Sequence, residues 1–209
     1  MERAAAVTPG TTHQPPADGW PNRDEAWRLV TEYVQSQSLR RHMLAVEAAV
    51  RAYARRFGED EERWGVVGLL HDFDYEIHPT LDQHPQDGAA ILRERGYAEE
   101  LIEAVLSHAD HLHIARVTPL QKALFAVDEV TGFAGAVALV RPDKRIASVA
   151  PSSFKKKMKD KAFARAVSRE DMLQGAAALG VPFDEHIQIV VDAMSGIAGE
   201  LGLAGQEDA

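Results

Sequence analysis

Seven consecutive residues, Trp64-Gly-Val-Val-Gly-Leu-Leu70, carry no charge and only an indole as polar group, and the next two are His71 and Asp72. A helix that is apolar on every side belongs in the middle of a protein. This run therefore constrains the fold more than any other stretch: other elements must surround it, and its C-terminal end delivers an imidazole and a carboxylate into that interior. Successive helical residues point about 100° apart. A metal ion lying between their directions is one of few partners able to use both.

The flanking sequence supplies the surrounding elements. Asn22 or Asp24 caps a first helix through Trp27, Val30 and Val34. From Ser38 to Phe57, Leu39, His42, Val46, Ala49, Tyr53 and Phe57 fall on one stripe at spacings of three and four, and Gly58 ends the helix. After a loop containing Pro79, His84-Pro85 opens a helix through Ala89, Ile91 and Leu92 that Gly96 closes. Ala98 to Asp110 is amphipathic, with Leu101, Val105 and His108 on a common face. Thr118-Pro119 starts a long helix to about Val140 that carries Asp128 on its apolar stripe with Leu120, Leu124, Val127 and Thr131. Arg141-Pro142 breaks it. Ser168, with Asp171 three residues on, caps a helix to Leu179, and Gly180-Val-Pro182 turns into one last helix that packs Ile187, Val190, Met194, Ile197 and Leu201 inward. No run alternates with period two and no segment repeats. The expectation is an all-α helical bundle in one domain over residues 20–205: a metal core at about 38–140, a basic segment at 141–169 and C-terminal helices at 168–203. Residues 1–19, with Pro9, Gly10, Pro15, Pro16 and Gly19, lack apolar periodicity and read as a disordered tail.

Composition excludes several chemistries. Without cysteine there is no disulfide framework, thiolate zinc site or iron–sulfur cluster, so any metal is held by imidazole and carboxylate. No apolar run approaches the roughly 20 residues of a membrane-spanning helix, and the N-terminus lacks signal-peptide order. A soluble, cytoplasmic protein is expected. The net charge of −9 argues against general nucleic-acid binding.

A lone inward histidine is most often a hydrogen-bonded core residue. Five such groups, His42, His71, Asp72, His108 and Asp128, spread over four or five helices, are different: buried separately they incur desolvation penalties of roughly 1–3 kcal/mol each. One metal site satisfies them together.

This ordered set, His…His-Asp…Asp on an all-α scaffold, resembles the HD-domain superfamily of metal-dependent phosphohydrolases, named for the doublet. The resemblance extends over about residues 38–205. It includes Leu-Leu-His-Asp-Phe-Asp at 69–74, His-Pro-Gln-Asp-Gly-Ala-Ala-Ile-Leu at 84–92 and Ala-Val-Leu-Ser-His-Ala-Asp at 104–110, and the stretch from Asp128 to Glu170 looks like a bacterial and archaeal branch of predicted hydrolases. It implies one or two divalent ions (Mn, Mg, Zn, Ni, Co or Fe): His42, His71, Asp72 and Asp128 hold the first, while Asp72 bridges to a second held by His84 and His108. On this implication Asp72, His84 and His108 carry the catalytic centre, where two ions about 3.5–4 Å apart activate water and grip a phosphoryl group. The alternative for the second pair is that His84 and His108 only orient neighbours or contact phosphate. His78, His111 and His113 are further candidates for phosphate contact, and Asp74 and Asp110 for outer acceptors or a general base.

Between Arg141 and Arg169 the chain carries ten Lys or Arg against Asp143 and Asp160, a net +8 that is either a solvated face or an anion site. Beside a metal site it acquires a substrate reading: Lys156 with Lys159, and Lys157 with Lys161, share helix faces, and Arg169 adds a guanidinium to a helix N-terminus. The function expected is metal-dependent hydrolysis of a small phosphorylated metabolite or nucleotide by metal-activated water. A diiron oxygenase acting on a small anionic substrate, and a non-catalytic metal- or ligand-binding module, are the alternatives.

Overall fold

The computed structural model describes residues 17–205 and is all-α, with no β-strand among them. The expected tail lies almost wholly outside the described residues; of it, Gly19 accepts a hydrogen bond from the Ala98 amide at 2.8 Å.

Local chemistry sets the helix boundaries. Helix α1 (Arg23–Tyr33) starts at Asn22, whose side chain takes the Glu25 amide while the Glu25 carboxylate returns to the Asn22 amide. Helix α2 (Gln37–Phe57) starts at Ser36 and stops at Gly58, which takes the left-handed conformation (φ 73°) that only glycine adopts without strain. Helices α3 (Glu61–Leu70), α4 (Gln86–Glu94) and α5 (Glu99–His108) follow. Helix α6 (Pro119–Leu139) begins at a reciprocal Thr118–Gln121 box with Pro119 in its first turn. Helices α7 (Pro151–Met158), α8 (Arg169–Leu179), α9 (Phe183–Ser195) and α10 (Ala198–Leu201) complete the chain.

Helix α3 is the core piece. Every residue from Trp64 to Leu70 is buried, as an all-round apolar run demands. Its two glycines let it lie directly on α2: a Cβ on Gly68 would come within 3.0 Å of Glu47 Cα, and one on Gly65 within 2.3 Å of the Arg51 side chain. These pairings run in opposite directions along the two helices, so α2 and α3 are antiparallel and His71, three residues beyond Gly68, arrives opposite His42. The Glu47 carboxylate trapped in this interface is matched by Arg23 (2.7 and 3.0 Å) and Arg51 (3.1 Å), as a buried charge must be. Helix α2 also packs on α6 and α9, and α6 packs on α5 and α8.

Two expectations are corrected. The last helix breaks at Gly196 and Ile197 into α9 and α10, because low-propensity glycine ends α9 and Ile197 leaves the helical region (φ −124°). The helix of the basic segment stops at Met158; Lys159 to Val167 form turns, with Ala164 at φ 42° and Asp160 capping the amides of Ala162 and Phe163. Lys156 and Lys157 therefore do not share helix faces with Lys159 and Lys161. Ser168 caps α8 as expected: its hydroxyl takes the Asp171 amide, while its own amide donates to Glu129 on α6.

Candidate metal centre

Four histidines and two aspartates from five elements converge at one cavity of about 420 Å³, all of them lining it except the fully buried His71. How each histidine is oriented decides what the cavity can hold. His71 caps α3 and its Nδ1–H donates to the Gly68 carbonyl at 2.8 Å. His108 ends α5 and donates likewise to Val105 at 2.5 Å. Both use carbonyls of a helix's last turn, which have no partner within the helix. His84 Nδ1–H donates to Asp74 at 2.8 Å, and the other Asp74 oxygen takes the Gly88 amide at 3.1 Å. Acceptor-only partners on Nδ1 fix the tautomer, so the Nε2 atom of each neutral ring is a bare lone pair.

The lone pairs of His84 and His108 face each other with Nε2 atoms 3.3 Å apart, and that of His71 faces His42 Nε2 at the same distance. Two lone pairs at that distance repel unless a cation lies with them. Asp72, which immediately follows His71, divides its carboxylate between the pairs. Its Oδ1 lies 3.2 Å from His84 Nε2 and 3.4 Å from His108 Nε2, and its Oδ2 lies 3.5 Å from His71 Nε2 and 3.8 Å from His42 Nε2. Asp128, from the middle of α6, sets Oδ1 3.0 Å from His42 Nε2 and 3.6 Å from His71 Nε2. The ligand atoms of His42, His71 and Asp72, and those of Asp72, His84 and His108, each lie within 4.8 Å of one another. The donor set, imidazole nitrogen with carboxylate oxygen, suits hard to borderline divalent cations.

Electrostatics gives the same account. Burial would lower the His71 pKa, but Asp72 and Asp128 outweigh it and raise it to about 9. Burial opposes protonation of His84 too, and its bonds to Asp72 and Asp74 raise it to about 9. Asp72 and Asp128, although partly buried, are held well below the usual carboxylate range by the histidines around them. Protons thus occupy the positions where a metal would otherwise cancel the same charges.

Several contributors were not legible as such in the sequence. Gly88 is one: a Cβ there would come within 2.4 Å of Asp74 Cγ, so only glycine lets the carboxylate reach both α4 and His84. Glu129, next to Asp128, lines the cavity, and burial followed by repulsion from Asp128 raises its pKa to about 7. Arg116 donates to the Ser107 carbonyl at 2.7 Å, pairs with Asp110 at 3.1 Å and lies over the Phe125 ring at 3.5 Å, pinning the segment that follows His108. Tyr75 packs its ring nearly perpendicular to that of His84, with centroids 5.1 Å apart.

The other sequence candidates divide. Asp74 is fully buried as an acceptor behind His84, and His111 and Asp110 line the cavity, with His111 Nε2 buried and unbonded. His78 lies beside Asp74 at 3.5 Å, and His113 is exposed. His186 is elsewhere, held between Tyr53 (2.5 Å) and the Ala126 carbonyl (2.8 Å); His13 lies outside the described residues. None of the proposed substrate-binding cations lines the cavity; the basic segment contributes Ala166 and Val167 instead. Lys156, Lys159 and Lys161 are exposed, and Lys157 lies over the Phe163 ring at 4.9 Å. Arg169 is turned inside the chain: its two terminal nitrogens donate to the carbonyls of Asp160, Phe163, Ala164 and Val167, and it lies over Phe133. That is a clamp on a turn.

Comparison with known proteins bears on the same region. A family model described as HD domain matches residues 39–173, which spans α2 to the start of α8 and contains all six converging side chains. No curated protein and no solved structure matches the chain.

Proposed function

The chain belongs to the HD domain family, and on that premise we propose that it is a metal-dependent phosphohydrolase acting on a small phosphorylated metabolite or nucleotide. The observation that carries the reading is the divided Asp72 carboxylate, one oxygen toward each pair of facing histidines. His42, His71, Asp72 and Asp128 would hold one divalent cation, and Asp72, His84 and His108 a second. Divalent cations at such a site supply Lewis-acid stabilisation of developing negative charge and a source of hydroxide near neutral pH.

The chain's own residues do the rest. Gly68, Val105 and Asp74 fix the rings with Nε2 toward the cavity, so the site is organised before substrate arrives. Apart from the histidines, the titratable groups on the cavity wall are acids and a tyrosine: Asp72, Asp110, Asp128, Glu129 and Asp171, with Tyr75. The acids repel a phosphate, so cations held on the histidines would favour substrate binding by offsetting that charge. Glu129, with its pKa near neutrality, is able to exchange a proton beside Asp128.

The test is phosphate release from a broad panel of phosphate esters after loading the protein separately with Mn, Mg, Zn, Ni, Co and Fe. Metal-dependent release that disappears in Asp72→Ala is expected. Silence with every metal rejects the reading, and stoichiometric iron with an oxygen-sensitive spectroscopic signal but no phosphate release assigns the site to oxygenase chemistry.

A further inference from the structure

The metal-centre cavity is not alone on α6. A second cavity of about 300 Å³ lies between α2 and α6, closed by the α9–α10 end of the chain, and the two cavities share His42 and Gly132 as walls. Their chemistry is opposite. Beyond the shared residues, the second is walled chiefly by Ala45, Ala136, Leu139, Met194, Leu201 and Leu203. Of its polar groups, Thr131 spends its hydroxyl on the Asp128 carbonyl at 2.7 Å, leaving Ser38 at the edge and Arg41, which makes no hydrogen bond or ion pair among the described residues. At the junction Gly132 leaves open space: a Cβ there would meet nothing within 4 Å.

We propose that this groove receives the apolar alcohol portion of the phosphate ester whose phosphoryl group sits at the metal centre, so that the substrate is a monoester of an aliphatic or aromatic alcohol rather than of a sugar. The inference rests on the hydrolase reading for the position of the phosphoryl group. A sugar or nucleoside in the groove would bury hydroxyls against methyl and methylene walls, losing roughly five- to 150-fold in affinity for each unmet hydrogen bond. An alkyl chain there gains up to about fourfold in affinity per fully buried methylene. Arg41, next in sequence to His42, supplies the uncompensated cation that an anionic amphiphile needs beside its apolar part.

The test is calorimetric binding of methylphosphonate, butylphosphonate and hexylphosphonate to the metal-loaded protein, so that no turnover is required. Affinity should rise at least tenfold from methyl to hexyl, with a growing negative heat-capacity change. Gly135→Leu should abolish the gain while leaving methylphosphonate unaffected: the position lies in the groove away from the metal cavity, and an added Cβ meets only Leu203 at 3.9 Å. Ala136→Leu, from the same wall, repeats the test with an independent variant. Equal affinity for all three, no binding of any, or a gain that survives both substitutions would overturn the proposal. Self-association of the unliganded protein that Gly135→Leu abolishes would assign the groove to a second copy of the chain and equally overturn it. Chain-length-dependent binding without turnover of any ester would uphold the groove and reject the hydrolase reading.

Discussion

Replacing Asp74 by asparagine changes no volume and removes one acceptor, and the structure says where the loss falls. Asp74 accepts from His84 Nδ1–H on Oδ1 (2.8 Å) and from the Gly88 amide on Oδ2 (3.1 Å). Asparagine offers one oxygen and turns its NH2 toward whichever partner is left. If the oxygen stays on His84, the Gly88 N–H faces a donor in the interior, at about 1–3 kcal/mol of stability. If it turns to Gly88, the His84 ring meets the NH2 with Nδ1, the ring proton moves to Nε2, and the lone pair facing Asp72 and His108 is gone. Loss of such an orienting partner typically lowers metal affinity ten- to a hundredfold, about 1.4–2.7 kcal/mol. Competition against a chelating indicator, fitted to two sites, should show that drop for the ion on Asp72, His84 and His108, with the ion on His42, His71, Asp72 and Asp128 nearly unchanged. Unaltered affinity at both sites, or equal loss at both, would refute the reasoning.

Other perturbations separate the same causes. Glycine to alanine within a helix ordinarily stabilises by about 1 kcal/mol; Gly132→Ala, open around its Cβ, should do so in thermal unfolding, whereas Gly88→Ala should destabilise and weaken metal binding because its Cβ would overlap Asp74 Cγ at 2.4 Å. His71 and His84 have pKa values raised from 6.5 to about 9, so their contribution to stability is complete below 6.5 and is lost as pH rises through 9. Unfolding of metal-stripped protein should therefore show stability falling between pH 7 and 9, above the range in which Glu129 and His186 titrate, and saturating metal should reverse the fall. Arg169→Ala leaves four carbonyls without their donor and should cost about 2 kcal/mol or more in denaturant unfolding while leaving metal affinity unchanged.

What could be read from the sequence was whatever local chemistry determines. Thr118-Pro119 and Gly58 mark helix ends through bonds made within a few residues, and the structure places those ends there. The convergence of His42, His71, Asp72, His108 and Asp128 was legible because each sits on an apolar face or at the end of a helix, whereas His84, in the turn before α4, was legible only through the family resemblance. Three features depend on how separate elements approach and left no local trace. Gly88 looks like any helical glycine until Asp74 is packed against it. Arg169 looks like a phosphate ligand at a helix N-terminus until the turns from Asp160 to Val167 fold their carbonyls around it. The α2–α6 groove exists because small residues on α6 face the end of α10, a juxtaposition no spacing rule anticipates.

Elemental analysis of protein reconstituted with excess divalent metal and dialysed against metal-free buffer tests the central claim most directly. Six side chains sharing Asp72 should retain two ions per chain in the wild type. One ion or none would contradict the account of Asp72 as a carboxylate divided between two metals.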